Sequence, residues 1–243
     1  MQGKARPFCR LLLKRPDRYE REMMGTRAIR RWLVISAACA SWYGFMHVEC
    51  ASGADSDHLT LEDFRSKDQD GFPNEWQHEN QRSQAKGREA YKIQSDGQGS
   101  FLAAKDAGQR LKKRKIDWDP KAYPLLIWKW RLHKAPTESE PIAAIYASLD
   151  TDLLFIPVFT KYIWSGSKPE GTVTEGGMFS GSEIVVQGGV TPLNEWVEER
   201  VNVYEDFKRI HQHEPAEKAW GISIFAGPGV EIDFGPITAV SSR

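Results

Sequence analysis

Residues 118–132 read Trp118-Asp119-Pro120-Lys121-Ala122-Tyr123-Pro124-Leu125-Leu126-Ile127-Trp128-Lys129-Trp130-Arg131-Leu132. A turn bounded by two prolines feeds a run in which apolar and charged side chains alternate. Leu126, Trp128, Trp130 and Leu132 fall on one face, and Ile127, Lys129 and Arg131 on the other. That period of two is the signature of a half-buried β-strand. The pattern predicts a central strand over 125–132, with Trp128 and Trp130 packed in a core between two sheets.

Working outward, short strands bounded by turn residues recur on both sides. His58 to Phe64 alternates, Asp68-Gln69-Asp70-Gly71-Phe72-Pro73 is a turn, and Trp76 opens the next element. Gln77 to Arg88 is polar and reads as a loop. Strands follow at 90–94, 100–104, 109–116, 142–149, 161–165, 183–187, 221–226 and 230–234, the last with a possible continuation to Val240. Leu153 to Phe159 is an irregular apolar run. Val197, Val201 and Val203 alternate as in a strand, while Trp196, Val203, Phe207 and Ile210 share a helical face, so a helix is expected only over Tyr204 to His211. The predicted fold is an all-β, two-sheet antiparallel sandwich with one short helix, occupying residues 55–243 as a single domain.

The chain has 243 residues and no net formal charge, but the charges are unevenly placed. Residues 1–54 hold ten of the 33 Lys and Arg and four of the 33 Asp and Glu, leaving 23 basic against 29 acidic residues in the body. A body of that sign disfavours nucleic acid and anionic membrane surfaces as partners. Within the leader, Arg27, Arg30 and Arg31 precede an apolar stretch from Trp32 to Val48 and small residues at 51–54, the anatomy of a secretory signal. Cleavage around Ala51 to Ala54 is expected, and an uncleaved anchor is the alternative, in which case the membrane is met only through the leader. Residues 1–22, with three acids, sit poorly before such a signal, so the start is expected at Met23 or Met24 and the signal over 23–54. The expected location is periplasmic or secreted. Cys9, Cys39 and Cys50 all lie in the leader, so the body has no thiol for a disulfide, a metal site or catalysis.

Several of these patterns occur in a particular order: Glu62-Asp63-Phe64, Asp70-Gly71-Phe72-Pro73 with Trp76, Phe101-Leu102, Tyr123-Pro124-Leu125 with Trp128 to Arg131, Tyr162-Ile163-Trp164, and Trp196-Val197 through Asp206-Phe207-Lys208. From Leu59 to about Val240 the succession resembles the bacterial domain-of-unknown-function 3047 family. The resemblance implies an exported β-sandwich similar to carbohydrate-binding jelly rolls. It departs at Ile224 to Gly229, a short uncharged turn where the family pattern implies an Asp-rich loop.

No catalytic set, metal site or cofactor is predicted. Asp68-x-Asp70-Gly71 could open a calcium loop but lacks the distal acidic ligand, and reads as a solvated turn. His211 and His213, two apart, point to different sides of a helix and make a poor metal pair. Lys112-Lys113-Arg114-Lys115 reads as a charged strand that protects an exposed sheet edge. Asp150 and Asp152 at a strand end, and Glu195, Glu198 and Glu199 around Trp196, are the carboxylates a polysaccharide-acting enzyme could pair. Trp164 and Tyr162 share a strand face beside Ser165-Gly166-Ser167-Lys168-Pro169 and are the candidate stacking surface for a sugar ring, with a core position the alternative. The expectation is a binding or accessory module for an extracytoplasmic glycan or similar polar ligand; the rivals are that enzyme and a structural protein of the envelope.

Overall fold

The computed structural model describes residues 57–78, 80–81, 84–136, 139–151, 156–176 and 181–242. The expected leader and its cleavage site therefore lie outside the described residues, as does Asp152. The strands are β1 (His58–Glu62), β2 (Trp76–His78), β3 (Tyr91–Asp96), β4 (Gly99–Lys105), β5 (Gln109–Arg114), β6 (Leu125–Lys134), β7 (Ala143–Thr151), β8 (Pro157–Ser165), β9 (Val173–Thr174), β10 (Ser182–Gly188), β11 (Val197–Asn202), β12 (Gly221–Ala226), β13 (Glu231–Phe234) and β14 (Ile237–Val240). The helices are α1 (Gln84–Ala90) and α2 (Val203–His211).

The strands form two seven-stranded sheets. The first runs β1-β14-β6-β13-β4-β3, with β11 added to the other edge of β6, and the second runs β2-β5-β12-β7-β8-β10-β9. All the strand pairs are antiparallel except β8 with β10, which is parallel. The sequence, with its evenly spaced short strands, gives no cue to that pair, because the connection from β8 to β10 also carries β9. Two further corrections concern local elements. Part of the polar stretch read as a loop is helix α1, whose buried residues are the small Gly87 and Ala90, too few to register as an apolar stripe. And β5 is not a sheet edge, since β2 pairs with its free side.

The two sheets face each other across one aromatic core. Trp128 and Trp130 of β6 are 1% and 0% exposed, as the alternation predicted. Their rings meet those of the facing sheet: Trp130 lies 5.5 Å from Trp164, and Trp128 lies 6.0 Å from Tyr162. Helix α2 closes one end. Asn202 caps it by accepting a hydrogen bond from the Glu205 backbone N–H at 3.0 Å, and Val203 and Phe207 go into the core.

β6 is where the first sheet divides. β13 and β14 both run along one side of it, and between the pairs Phe234 with Trp130 and Thr238 with Ile127 the partner strand carries one extra residue, a β-bulge. The bulge is pinned by the Gly235 N–H, which donates to the Lys129 carbonyl at 2.8 Å. β4 continues the sheet beside β13 and β1 continues it beside β14, so the outer surface opens at residues 235–238.

Candidate functional site

A cleft of about 310 Å³ lies on the outer face of the first sheet over this bulge, its wall formed by the β3–β4 turn, β6, the start of β11 and residues 235–238. The side chains that shape it follow from strand parity. Lys129 and Arg131 of β6 point outward because Trp128 and Trp130 point inward, and Glu198 stands opposite Lys129 across the β6–β11 pair. Their charged ends are 3.2 Å apart and more than half exposed, so the pair contributes little to stability.

Trp196 lies just ahead of β11 and is half-buried. The chain is led to it by Asn194, which has a left-handed backbone (φ 63°) and donates its N–H to the Leu132 carbonyl at 2.7 Å; asparagine tolerates that conformation better than most residues. The indole packs over Gly235, where an added Cβ would come within 3.6 Å of the ring and 3.3 Å of the Lys129 Cβ. The Arg131 guanidinium sits 4.4 Å from the Trp196 ring centroid and 5.2 Å from that of Phe101, and the two rings meet edge to face at 5.9 Å.

A charged network holds Arg131 in place. Its Nε and Nη2 donate to Asp233 Oδ2 at 3.0 and 2.7 Å, and Nη2 also reaches Asp96 Oδ2 at 3.3 Å. The same Asp233 oxygen lies 2.8 Å from His133 Nε2, and His133 Nδ1 lies 2.8 Å from Asn194 Oδ1. The network thus ties the loop before Trp196 to β6 and β13. It fixes the indole while leaving part of it at the surface, between carboxylates and an ammonium group. Such a site can stack a polar ring and bond to its hydroxyls.

The residues chosen from sequence lie elsewhere. Trp164 and Tyr162 are both 0% exposed, on the inner face of β8. Trp164 Nε1 donates to the Gly189 carbonyl at 2.7 Å. The Tyr162 hydroxyl donates to Asp206 at 3.2 Å, and burial together with that carboxylate pushes its pKa well above the ordinary value. The stacking surface is therefore not formed by these two rings: Trp164 is turned inward, and its indole N–H is taken by the Gly189 carbonyl just past the end of β10 rather than facing solvent beside the 165–169 loop.

The proposed carboxylates are also dispersed. Asp150 lies on β7 of the second sheet, 3.8 Å from His213, while Glu198 lines the cleft on the first and Glu195 is exposed beside it. Glu199 points inward, accepting from Trp130 Nε1 at 3.1 Å, and burial raises its pKa to about 7. His211 packs against Phe207 with ring centroids 4.4 Å apart, and burial lowers its pKa. The Asp68 turn is closed by Arg88, which pairs with Asp68 and with Asp70, and that bond lowers the Asp68 pKa. Lys113 turns inward to Glu62 at 2.9 Å and Glu75 at 3.1 Å. Trp196, Lys129, Phe101 and Asp96 are cleft residues that the sequence reading did not assign to a binding site, because only the folded register brings the β3–β4 turn and β6 beside Trp196.

No curated protein matches this sequence. Among solved structures, the chain is similar to the family 11 carbohydrate-binding module of a cellulosomal cellulase of Clostridium thermocellum, at 9% identity and a TM-score of 0.42 over 76% of this chain and 95% of that one. It is similar to a family 28 module described as specific for non-crystalline cellulose, at 14% identity and a TM-score of 0.39 over 75% and 90% of the two chains. A third is the family 22 module and catalytic module of Clostridium thermocellum endo-1,4-beta-D-xylanase 10B, solved with xylohexaose, at 12% identity and a TM-score of 0.34 over 76% of this chain and 28% of that one. The resemblance drawn from the order of aromatic and proline anchors holds over β8 to β12, where residues 158–226 match the model of the family described as protein of unknown function (DUF3047).

Proposed function

We propose that this protein is an exported binding module that holds a glycan, or a similar polar ligand, in the cleft over the β13–β14 bulge. The observation that carries the reading is the half-buried Trp196 ring, braced by Arg131, Phe101 and Gly235 and bordered by Asp96, Lys129 and Glu198. A braced indole offers a flat apolar face at little entropic cost, and the surrounding charges offer donors and acceptors to hydroxyl groups. Export rests on the arginine-led apolar leader.

The test is a glycan array probed with the parent and with Trp196→Ala. The variant should stay folded, losing about 1–2 kcal/mol for the indole's packing on Gly235, Phe101 and Arg131, while losing at least about tenfold in affinity for whichever neutral glycan the parent retains. Undiminished retention by the variant would overturn the assignment of the cleft. N-terminal sequencing of the exported species should begin within a few residues of Ala54, and an intact leader in the cytoplasmic fraction would overturn the export reading.

A further inference from the structure

Strand β11 is the last strand on its side of the first sheet: it pairs with β6, and among the described residues no other strand pairs with it. The Val203 N–H donates to the Pro124 carbonyl at 2.9 Å, which continues the register of residues 197–202 with 130–125 and fixes the parity of the ladder. Val197, Glu199 and Val201 therefore turn their peptide groups toward β6, and Glu198 and Arg200 turn theirs to the open edge. Among the described residues, no backbone bond from beyond the sheet reaches either of them. An edge of open peptide groups is a template for another strand.

Charge decides which strand fits. Glu198 and Arg200 share the outer face and are both exposed. Glu198 lies 3.2 Å from Lys129, whereas the Arg200 guanidinium meets no carboxylate among the described residues. Edges kept apart by charge carry one sign, but these two neighbours on one face carry opposite signs. When two β11 strands run antiparallel about a twofold axis at Glu199, Glu198 of each copy stands opposite the partner's Arg200, and their peptide groups exchange hydrogen bonds. On the inner face Val197 meets the partner's Val201, and both valines already pack against the core. Moving the axis by one residue sets Glu198 or Arg200 against its own copy, with like charges directly opposite. Glu199 faces its own copy on the axis, but its carboxyl is drawn toward β6 by Trp130 Nε1 at 3.1 Å, and burial favours its neutral form.

We infer that the open edge of β11 is a homodimer interface, on which a second copy of this chain adds its own β11 in the register centred on Glu199. The partner is a second copy because the charge pattern of the strand is its own complement. A strand of six residues buries little surface, so the dimer is of the weak, exchanging kind. The axis leaves the Trp196 clefts of both copies on one outer face, and a long glycan held in one is thereby presented to the other. The interface does not rest on the glycan reading, since Arg200 is not among the residues that line the cleft.

The experiment is sedimentation equilibrium from about 1 µM to about 1 mM protein, at about pH 6, where Glu199 holds its proton. The parent should pass from monomer to dimer over that range. Arg200→Glu and Glu198→Arg each set like charges across the axis, so each should stay folded and self-associate at least about tenfold more weakly. An equimolar mixture of the two variants should dimerise again, because each then meets its complement. Three results would each overturn the inference: a parent that stays monomeric throughout, an Arg200→Glu variant that dimerises as tightly as the parent, or a mixture no more associated than its separate components. Arg200→Glu should bind a short neutral glycan as the parent does, so loss of the dimer and loss of the cleft reading are separately visible.

Discussion

The two faces of β6 differ in what fixes them. On the inner face Leu126, Trp128, Trp130 and Leu132 are at most 1% exposed, and each is held by shape against the facing sheet. On the outer face Arg131 and His133 are held by a single buried carboxylate, Asp233, and Trp196 is held by Arg131 and by the absence of a side chain at Gly235. The inner face is insured by many contacts and the outer one by a few bonds. Substitutions on the inner face should therefore unfold the protein, whereas those on the outer face should spare the fold and alter the cleft.

The largest effect is expected on the inner side. Trp130→Ala and Trp164→Ala each empty a position at the point where the sheets meet, and truncation of a buried tryptophan costs about 3–5 kcal/mol. That is a large part of a domain's net stability, so both should give little soluble protein and a much lower melting temperature. Parent-like melting of Trp164→Ala would contradict its buried position and restore it as a candidate for the stacking surface.

A smaller loss is expected from Asp233→Ala, which breaks the outer network at its centre. Arg131, only 19% exposed, would be left without its main acceptor, at a cost of about 2–3 kcal/mol. The folded variant should also lose glycan affinity, because neither Arg131 nor the His133–Asn194 link would then brace Trp196. If the variant bound normally, packing on Gly235 alone would suffice to orient the indole.

The same contrast explains what could be read from sequence. The inner face follows a rule of period two, so the 125–132 run announced its own burial and that of Trp128 and Trp130. The outer site obeys no local rule. Its members come from residues 96–101, 127–131, 194–198 and 233–238, and nothing near Trp196 in the chain says that Phe101 will lie beside it. Trp164 misled for a related reason: a glycine- and serine-rich loop next to an aromatic residue suggests exposure, yet the Gly189 carbonyl arrives from the next strand to take its N–H. The bulge at Gly235-Pro236 was masked by the apparent continuity of a strand running on to Val240. Helix α1 was missed because seven residues that bury only Gly87 and Ala90 leave no apolar periodicity to detect.

The smallest expected effect tests the margin between the faces, where Glu199 points inward from β11, itself an edge strand. Burial raises its pKa to about 7, and the nearby Glu170 acts in the same direction, so the folded protein binds a proton there that the unfolded chain, with an ordinary value of 4.5, releases earlier. Protonation therefore favours folding: this contribution is complete below about pH 4.5 and is lost as the pH rises through about 7. Allowing for solvent screening of a partly exposed group, the loss is about 1–2 kcal/mol. Glu199→Gln keeps a carbonyl to accept from Trp130 Nε1 but cannot ionise. It should melt like the parent at pH 5 and above it at pH 8, flattening this part of the stability profile. A parallel decline of both proteins between those pH values would mean that Glu199 is solvated in the folded state and that the edge beside β11 is wetter than the core it borders.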